Sequence, residues 1–285
     1  MRKVIFITFG VLAIIIIIAI AAIFIANMKF NQKVAKEVKE LFAGISGSDD
    51  SVIQRSNLEK LPIPVKKWLE FSNIVGKEKV TSVRLKQKAV MRLKEAQSWM
   101  PVEAEQYFTV NEPGFIWKAR IKAAPLFHIV GRDKYFEGKG SMLIKALSLI
   151  KIADSSGKEI NQGTLIRYLA ETVWFPSAAL NSYITWEEID ASSARATIDY
   201  RGITVSGVFN FNNIGEVTSF VAKRYMENNG KYSLETWLVT MRNYKELDGI
   251  KIPTEGKVVW KLETGDFTWF KFEITEIEYN LPVVY

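Results

Sequence analysis

The chain has 285 residues, 48% of them hydrophobic and 24% charged, which excludes wholesale disorder and a polytopic transporter with several long apolar runs. Zero cysteines remove disulfides, thiol nucleophiles and thiolate metal sites, and a single histidine, His128, removes multi-histidine centres, so neither metal nor cofactor is expected. The net charge of +7 points to an anionic partner without naming one.

Residues 4 to 26 form an uncharged run whose one clearly polar side chain is Thr8. As a helix it reaches about 34 Å against a hydrocarbon core of ~30 Å, so residues 1–27 read as a transmembrane anchor in contact with membrane lipid. The competing reading is a cleaved signal peptide with Arg2 and Lys3 as its basic start. Its apolar core is too long for that, and Ile25-Ala26-Asn27 offers no good small-x-small cleavage pair. The flanking charges lean the wrong way for an inside N-terminus, because Lys29, Lys33, Lys36 and Lys39 follow the run. Large C-terminal domains translocate largely regardless of such charges, so the expected topology is single-pass with an extracytoplasmic domain.

Residues 28–60 read as an amphipathic juxtamembrane helix and linker. Phe30, Val34, Val38, Leu41 and Phe42 fall at helical spacing, and Gly44 to Asn57 carries the linker composition. The helix either lies on a surface or packs its stripe on the domain. Residues 61–285 then read as one domain. Pro64 opens a short helix with Val65, Trp68 and Leu69 on one face. From Val80 the period becomes two, with strands at 80–94, 102–110, 115–122, 126–136 and 141–152, the last two joined through Glu137-Gly138-Lys139-Gly140. Further strands fall at 184–190, 194–201, 203–211, 216–226, 233–246, 257–264 and 267–279. Turn chemistry separates them at Asn212-Asn213, Asn228-Asn229-Gly230, Asp248-Gly249 and Thr264-Gly265-Asp266.

Between the two strand blocks lies a helix over 162–180, capped by Asn161 or Thr164 and broken by Pro176. Leu165, Leu169 and Val173, with Tyr168, Trp174 and Phe175 around them, leave almost no polar face, although Arg167 and Glu171 can pair at i,i+4. Such a helix must be buried. The expected fold is therefore mainly β with α (α+β): an N-terminal transmembrane helix, then a large antiparallel sheet, strongly curved or closed, wrapped around a buried helix.

LPIPVKKWLEF, the GKGSM turn at 138–142, GTLIRYLAETVWFP, TWEEID and the segment GIKIPTEGKVVWKLETGDFTWFKFEITEIEYN resemble a bacterial family of uncharacterised single-pass membrane proteins over roughly 60 to 282. That family is similar in fold to the half-barrel LolA/LppX-like carriers of lipoproteins and lipids. The resemblance implies a half-barrel and brings no activity with it.

Catalysis through a histidine base would rest on His128 alone. Glu187 and Glu188 are strand neighbours that point to opposite faces, and no Gly-Lys dipeptide continues as a phosphate-binding loop. No catalytic residue is assigned. Two binding features remain. Trp117, Tyr168, Trp174, Phe175, Phe209, Arg224, Trp260 and Phe270 are candidates to line an inner cavity for a lipid or other amphiphile, or simply to fill a core. Arg224, on a face with Phe220 and Ala222, needs a structural or ligand-borne partner if that face is inward. Arg84, Lys86, Lys88, Arg92, Lys118, Arg120 and Lys122 (with Lys94) form a basic face, opposed by Glu103 and Glu105. That face serves either as a solvated outer surface or as an adaptor for anionic lipid, an anionic wall polymer or a protein partner. Nucleic acid is not an expected partner of a domain held outside.

Overall fold

The computed structural model describes residues 2–45, 51–228 and 230–285, so the middle of the expected linker and Asn229 of one expected turn lie outside the described residues. The chain opens with α1 (Arg2–Phe42), one continuous 41-residue helix. The apolar run and the amphipathic segment form one helix without a break, because no glycine or proline interrupts residues 11–42. The first part is exposed apolar helix, long enough to cross a membrane. In the second part Phe30, Val34, Val38, Leu41 and Phe42 are buried against Tyr107, Ile116, Val130 and Leu143 of the sheet. The stripe therefore packs on the domain.

A short helix, α2 (Ile63–Phe71), follows with Pro64 in its first turn. Then come β1 (Ser82–Met91), β2 (Met100–Thr109), β3 (Gly114–Ala124), β4 (Phe127–Phe136), β5 (Lys139–Ala146) and β6 (Ile150–Ser156). The helix α3 (Lys158–Glu171) leads through 3-10 turns at Thr172–Trp174 and Pro176–Leu180 to the second block. That block comprises β7 (Ile184–Asp190), β8 (Ser193–Tyr200), β9 (Ile203–Phe211), β10 (Val217–Asn228), β11 (Lys231–Leu247), β12 (Ile250–Leu262) and β13 (Gly265–Tyr279).

All thirteen strands join one antiparallel sheet in the order β6-β5-β4-β3-β2-β1-β13-β12-β11-β10-β9-β8-β7. Two meanders meet at the β1–β13 pair, and the edges β6 and β7 are not paired with each other, so the barrel is half-open rather than closed. Register shifts at Lys86/Gln87, Lys122/Ala124 and Ile144/Lys145 bend the sheet. α3 connects the two edges and lies inside the curve, with Leu165, Tyr168 and Leu169 fully buried. The expected half-barrel around a buried helix is thus the observed architecture.

Four local expectations are corrected. The strand expected over 141–152 is two strands, because Leu147 and Ser148 adopt left-handed conformations and turn the chain without glycine, asparagine or proline. The strand expected from 257 begins at Ile250, since the left-handed Asn243 accommodates Pro253 opposite Tyr244. The α-helix ends at Glu171, ahead of Pro176, and continues as 3-10 turns. Its start is not capped by Asn161 or Thr164. Asn161 instead accepts the Gly140 N–H through Oδ1 (2.7 Å), and Thr164 Oγ1 donates to the Ile160 carbonyl (2.7 Å). Gly140 sits where a Cβ would meet the Ile160 carbonyl oxygen at 2.7 Å, so its missing side chain lets α3 rest on the sheet.

Candidate functional site

Between α3, the turn that follows it and the concave face of the sheet lies a cavity of about 180 Å³. Its wall is mostly apolar: Met91, Ile121, Met142, Val173, Trp174, Val239 and Phe270 are among the lining side chains. Strand alternation places these residues. Trp117 stands opposite Asp133, and Asp133 opposite Met142, on the inward layer of β3, β4 and β5.

One side of the cavity is polar. The Arg167 guanidinium, on α3, donates from Nη1 to Asp133 Oδ2 (2.7 Å) and from Nε to Glu171 Oε1 (2.8 Å). Gln106 Nε2 donates to the other Glu171 oxygen (2.8 Å), and Trp117 Nε1 donates to Gln87 Oε1 (3.0 Å). The Arg167 guanidinium also sits 5.0 Å over the Trp117 ring. Burial pushes the Glu171 carboxyl above its ordinary range, against the pull of Arg167. This network closes on itself: two carboxylates and the Gln106 amide meet one guanidinium.

Arg224 is different. Its Nε donates to the Gly163 carbonyl (3.1 Å), and its guanidinium packs over Trp237 (4.9 Å) and Trp260 (5.8 Å). Among the described residues no carboxylate comes within ion-pair distance, including its cross-strand neighbour Glu235. Burial, and then the positive charge of Arg167, bring its pKa down to about 10, so it remains a cation at neutral pH. The Nε1 groups of Trp237 and Trp269, two more lining residues, are buried without a hydrogen-bond partner. The cavity wall therefore carries one cation with no ion-pair partner among the described residues.

Of the sequence candidates, Trp117, Trp174, Arg224 and Phe270 line this cavity. Tyr168, Phe175, Phe209 and Trp260 do not. Tyr168 donates to the Thr109 carbonyl or shares its proton with Tyr183, and Phe175 packs on Phe108 at 4.8 Å. Phe209 stacks on Trp68 beneath α2, and Trp260 lies behind Arg224. Asp133, Gln106 and Gln87 were missed because each is one polar letter in an alternating strand. Arg167 and Glu171 were visible as an i,i+4 pair on the buried helix, but their strand partners were not.

The basic face is outward and more nearly neutral than expected. β13, which the sequence left unplaced, lies beside β1 and contributes Glu273, Glu276 and Glu278. Arg84 pairs with Glu278 (2.7 Å), Lys86 with Glu276 (2.8 Å) and Lys118 with Glu105 (2.9 Å). Arg92 lies past the end of β1 and donates to the Thr268 and Glu95 carbonyls, so neither it nor Lys94 joins that face. Lys88, Arg120 and Lys122 remain exposed. His128 Nε2 shares a hydrogen bond with Ser148 Oγ (3.2 Å), and Ser148 Oγ donates to Asn27 Oδ1 (3.1 Å). Ser148 is fully buried, which closes this pair to a substrate.

Three solved structures are similar to this chain in outline. A domain described as that of an outer membrane lipoprotein-sorting protein, from Vibrio parahaemolyticus, matches at 9% identity and a TM-score of 0.33, over 71% of this chain and 87% of its own. A LolA superfamily protein from Nitrosomonas europaea matches at 10% identity and a TM-score of 0.38, over 82% and 94%. A beta-barrel-like protein of the domain of unknown function DUF1849 from Brucella abortus matches at 7% identity and a TM-score of 0.29, over 71% and 99%. No curated protein sequence matches the chain. The model of a family of unknown function, DUF6544, matches residues 51–272, more than half of the sequence, and the chain belongs to that family.

Proposed function

We propose that this protein is a membrane-anchored, non-catalytic binding protein that takes an amphiphile into the cavity between α3 and the sheet, at the extracytoplasmic membrane surface. The observation that carries this reading is the cavity wall: mostly apolar, with a polar cluster around Arg167 that is internally paired and a second guanidinium, Arg224, that has no ion-pair partner among the described residues. A half-buried cation without a counter-charge is costly, and an anionic head supplies what the protein leaves out. The tail of the same molecule lies among Met91, Ile121, Met142 and Phe270, where apolar contact is the available interaction. The exposed apolar half of α1 keeps the domain beside a reservoir of such molecules.

Photo-crosslinking tests the reading on the full chain in vesicles. A long-chain carboxylic acid and a long-chain phosphate monoester, each with a diazirine in the tail, are compared with the matching alcohol. Adducts on peptides containing Met91, Met142 or Phe270 are expected with the acid or the phosphate, and which of the two labels more strongly identifies the head. Adducts confined to residues 4–26 would sink the cavity reading. Reporter fusions at the C-terminus test the topology, and a cytoplasmic C-terminus overturns the extracytoplasmic placement.

A further inference from the structure

Where α1 leaves its apolar run, the domain presents a second apolar surface. Asn27, the first residue after that run, accepts a hydrogen bond from Ser148 on the β5–β6 turn (3.1 Å). That turn lies against the β3–β4 turn, since Leu147 N–H donates to the His128 carbonyl (2.8 Å). Both tips carry apolar side chains where polar turn residues are the norm. Leu126 is 101% exposed and holds a left-handed conformation, and Leu149 is 49% exposed. Phe127 begins β4, and Ile150 and Ile152 on the edge strand β6 are 62% and 56% exposed. Five exposed large apolar residues at two adjoining turns and the strand ends that flank them make a patch, whereas most others in the domain stand singly.

The same corner carries charge. Asn27 and Asn31 share a groove with Lys88 and Arg120, and Lys122 lies opposite His128 on the neighbouring strand. Arg120 and Lys122 are exposed and have no ion-pair partner among the described residues. The helix itself fixes the depth of this corner. Ala22, Ile23 and Ala26, on the helix face that carries Asn27, are half-buried, while Phe24 and Ile25 are exposed. Protein thus covers one side of the last turn of the apolar run.

We infer that the β3–β4 and β5–β6 turns seat in the lipid interface beside α1, with Leu126, Phe127, Leu149 and Ile150 among the upper acyl chains and Lys88, Arg120 and Lys122 at the headgroups. The occupant is the bilayer because the patch adjoins the end of a helix whose apolar run matches a bilayer in length. Apolar residues ringed by cations suit an anionic lipid surface. Leu126 holds a left-handed conformation while fully exposed, a conformational cost that a solvated turn of polar residues does not require. The inference rests on α1 being an anchor but not on the cavity having a ligand.

The absence of cysteine makes the test direct. Single variants Leu126→Cys, Leu149→Cys, Lys139→Cys and Ile16→Cys of the full chain are labelled with an environment-sensitive fluorophore. Each is reconstituted in vesicles of phosphatidylcholine and phosphatidylglycerol containing nitroxide lipids. Ile16→Cys reports insertion of α1, and Lys139→Cys, in the hairpin at the far ends of β4 and β5, reports the aqueous side. Labels at 126 and 149 are expected to shift to the blue and to be quenched by headgroup-proximal nitroxides, with no change at 139. If 16 is in hydrocarbon while 126 and 149 stay as wet as 139, the inference is overturned. Shielding of 126 and 149 that arises only on adding another protein overturns it in favour of a protein partner. A wet label at 16 overturns the anchor, and the seating of the turns with it.

Discussion

Glu37 of α1 places Oε2 3.1 Å from Nε of Arg132 on β4, with both side chains almost fully buried. Lys33 and Lys134 flank the same carboxylate at 3.2 and 3.8 Å, and Arg132 donates from Nη1 to Ser141 Oγ (2.6 Å). Around the pair, Phe30, Val34, Val38 and Leu41 seal α1 to the outer face. The helix that carries the apolar run is therefore welded to the sheet rather than tethered.

Breaking that weld from one side leaves a charge without its partner. Glu37→Ala is expected to cost about 3 kcal/mol, and Arg132→Ala a similar amount. The double variant is expected to cost less than the sum, because no stranded charge remains. Urea melts of the detergent-solubilised chain measure all three, and strict additivity would count against a coupled buried pair.

How much of this arrangement is legible in the sequence depends on whether a residue's neighbours are local. The α1 stripe, α3 and turns such as Glu137-Gly138 were readable, because periodicity and left-handed turn letters are local signals. The Leu147-Ser148 turn was not, since it uses residues that ordinarily avoid that conformation. The charge on the outer face was misjudged for another reason. Glu276 and Glu278 lie almost two hundred residues from Lys86 and Arg84, and the β1–β13 pairing that joins them leaves no local mark. The cavity's polar side has the same cause: Gln106, Asp133 and Arg167 meet only when two hairpins curve around α3.

The buried helix makes a sharp stability prediction. Leu169 is fully buried, so Leu169→Ala is expected to cost ~2–5 kcal/mol through the cavity it leaves. Leu169→Asp is expected to prevent folding, because an unpaired carboxylate enters an apolar core. Near-wild-type melting of Leu169→Asp would contradict the placement of α3 inside the curve.

The approach of α3 to the sheet is tested at Gly140. An added methyl meets the Ile160 carbonyl, a backbone atom that cannot swing aside. Gly140→Ala is expected to cost about 1–3 kcal/mol and to weaken the Asn161 hydrogen bond to residue 140. Thermal melts read the first effect and amide hydrogen exchange at position 140 the second. Unchanged exchange with unchanged melting would mean that α3 stands off the strand.

Arg224 separates head from tail. Replacing the guanidinium by a side chain of similar length, Arg224→Met, is expected to lower cavity labelling by an acidic amphiphile about tenfold. Labelling by the matching alcohol is expected to hold. Arg224→Lys keeps the charge but loses the fork and the stacking over Trp237, so an intermediate loss is expected. Equal labelling of all three proteins by the acid would remove Arg224 from head recognition while leaving an apolar cavity in place.

The last prediction concerns Glu171 and the direction of its pH response. Burial holds its folded-state pKa above the ordinary 4.5, even with Arg167 beside it. In the interval between those two values the native protein keeps a proton that the unfolded chain has released. Unfolding then releases protons, so stability is greatest below 4.5 and falls as pH rises through the folded-state value. Carboxylates whose pKa is lowered in the fold, such as Glu278 beside Arg84, act in the opposite sense and lose their contribution as pH falls. The two are separated by Glu171→Gln, which retains an amide in the network and removes only the titrating group. Urea melts of wild type and variant between about pH 4 and 8 are expected to converge in slope at the alkaline end and to diverge just above 4.5, where only the wild type loses stability with rising pH through this group. Parallel profiles across the whole range would mean that Glu171 is ionised in the fold at every pH tested, held there by Arg167.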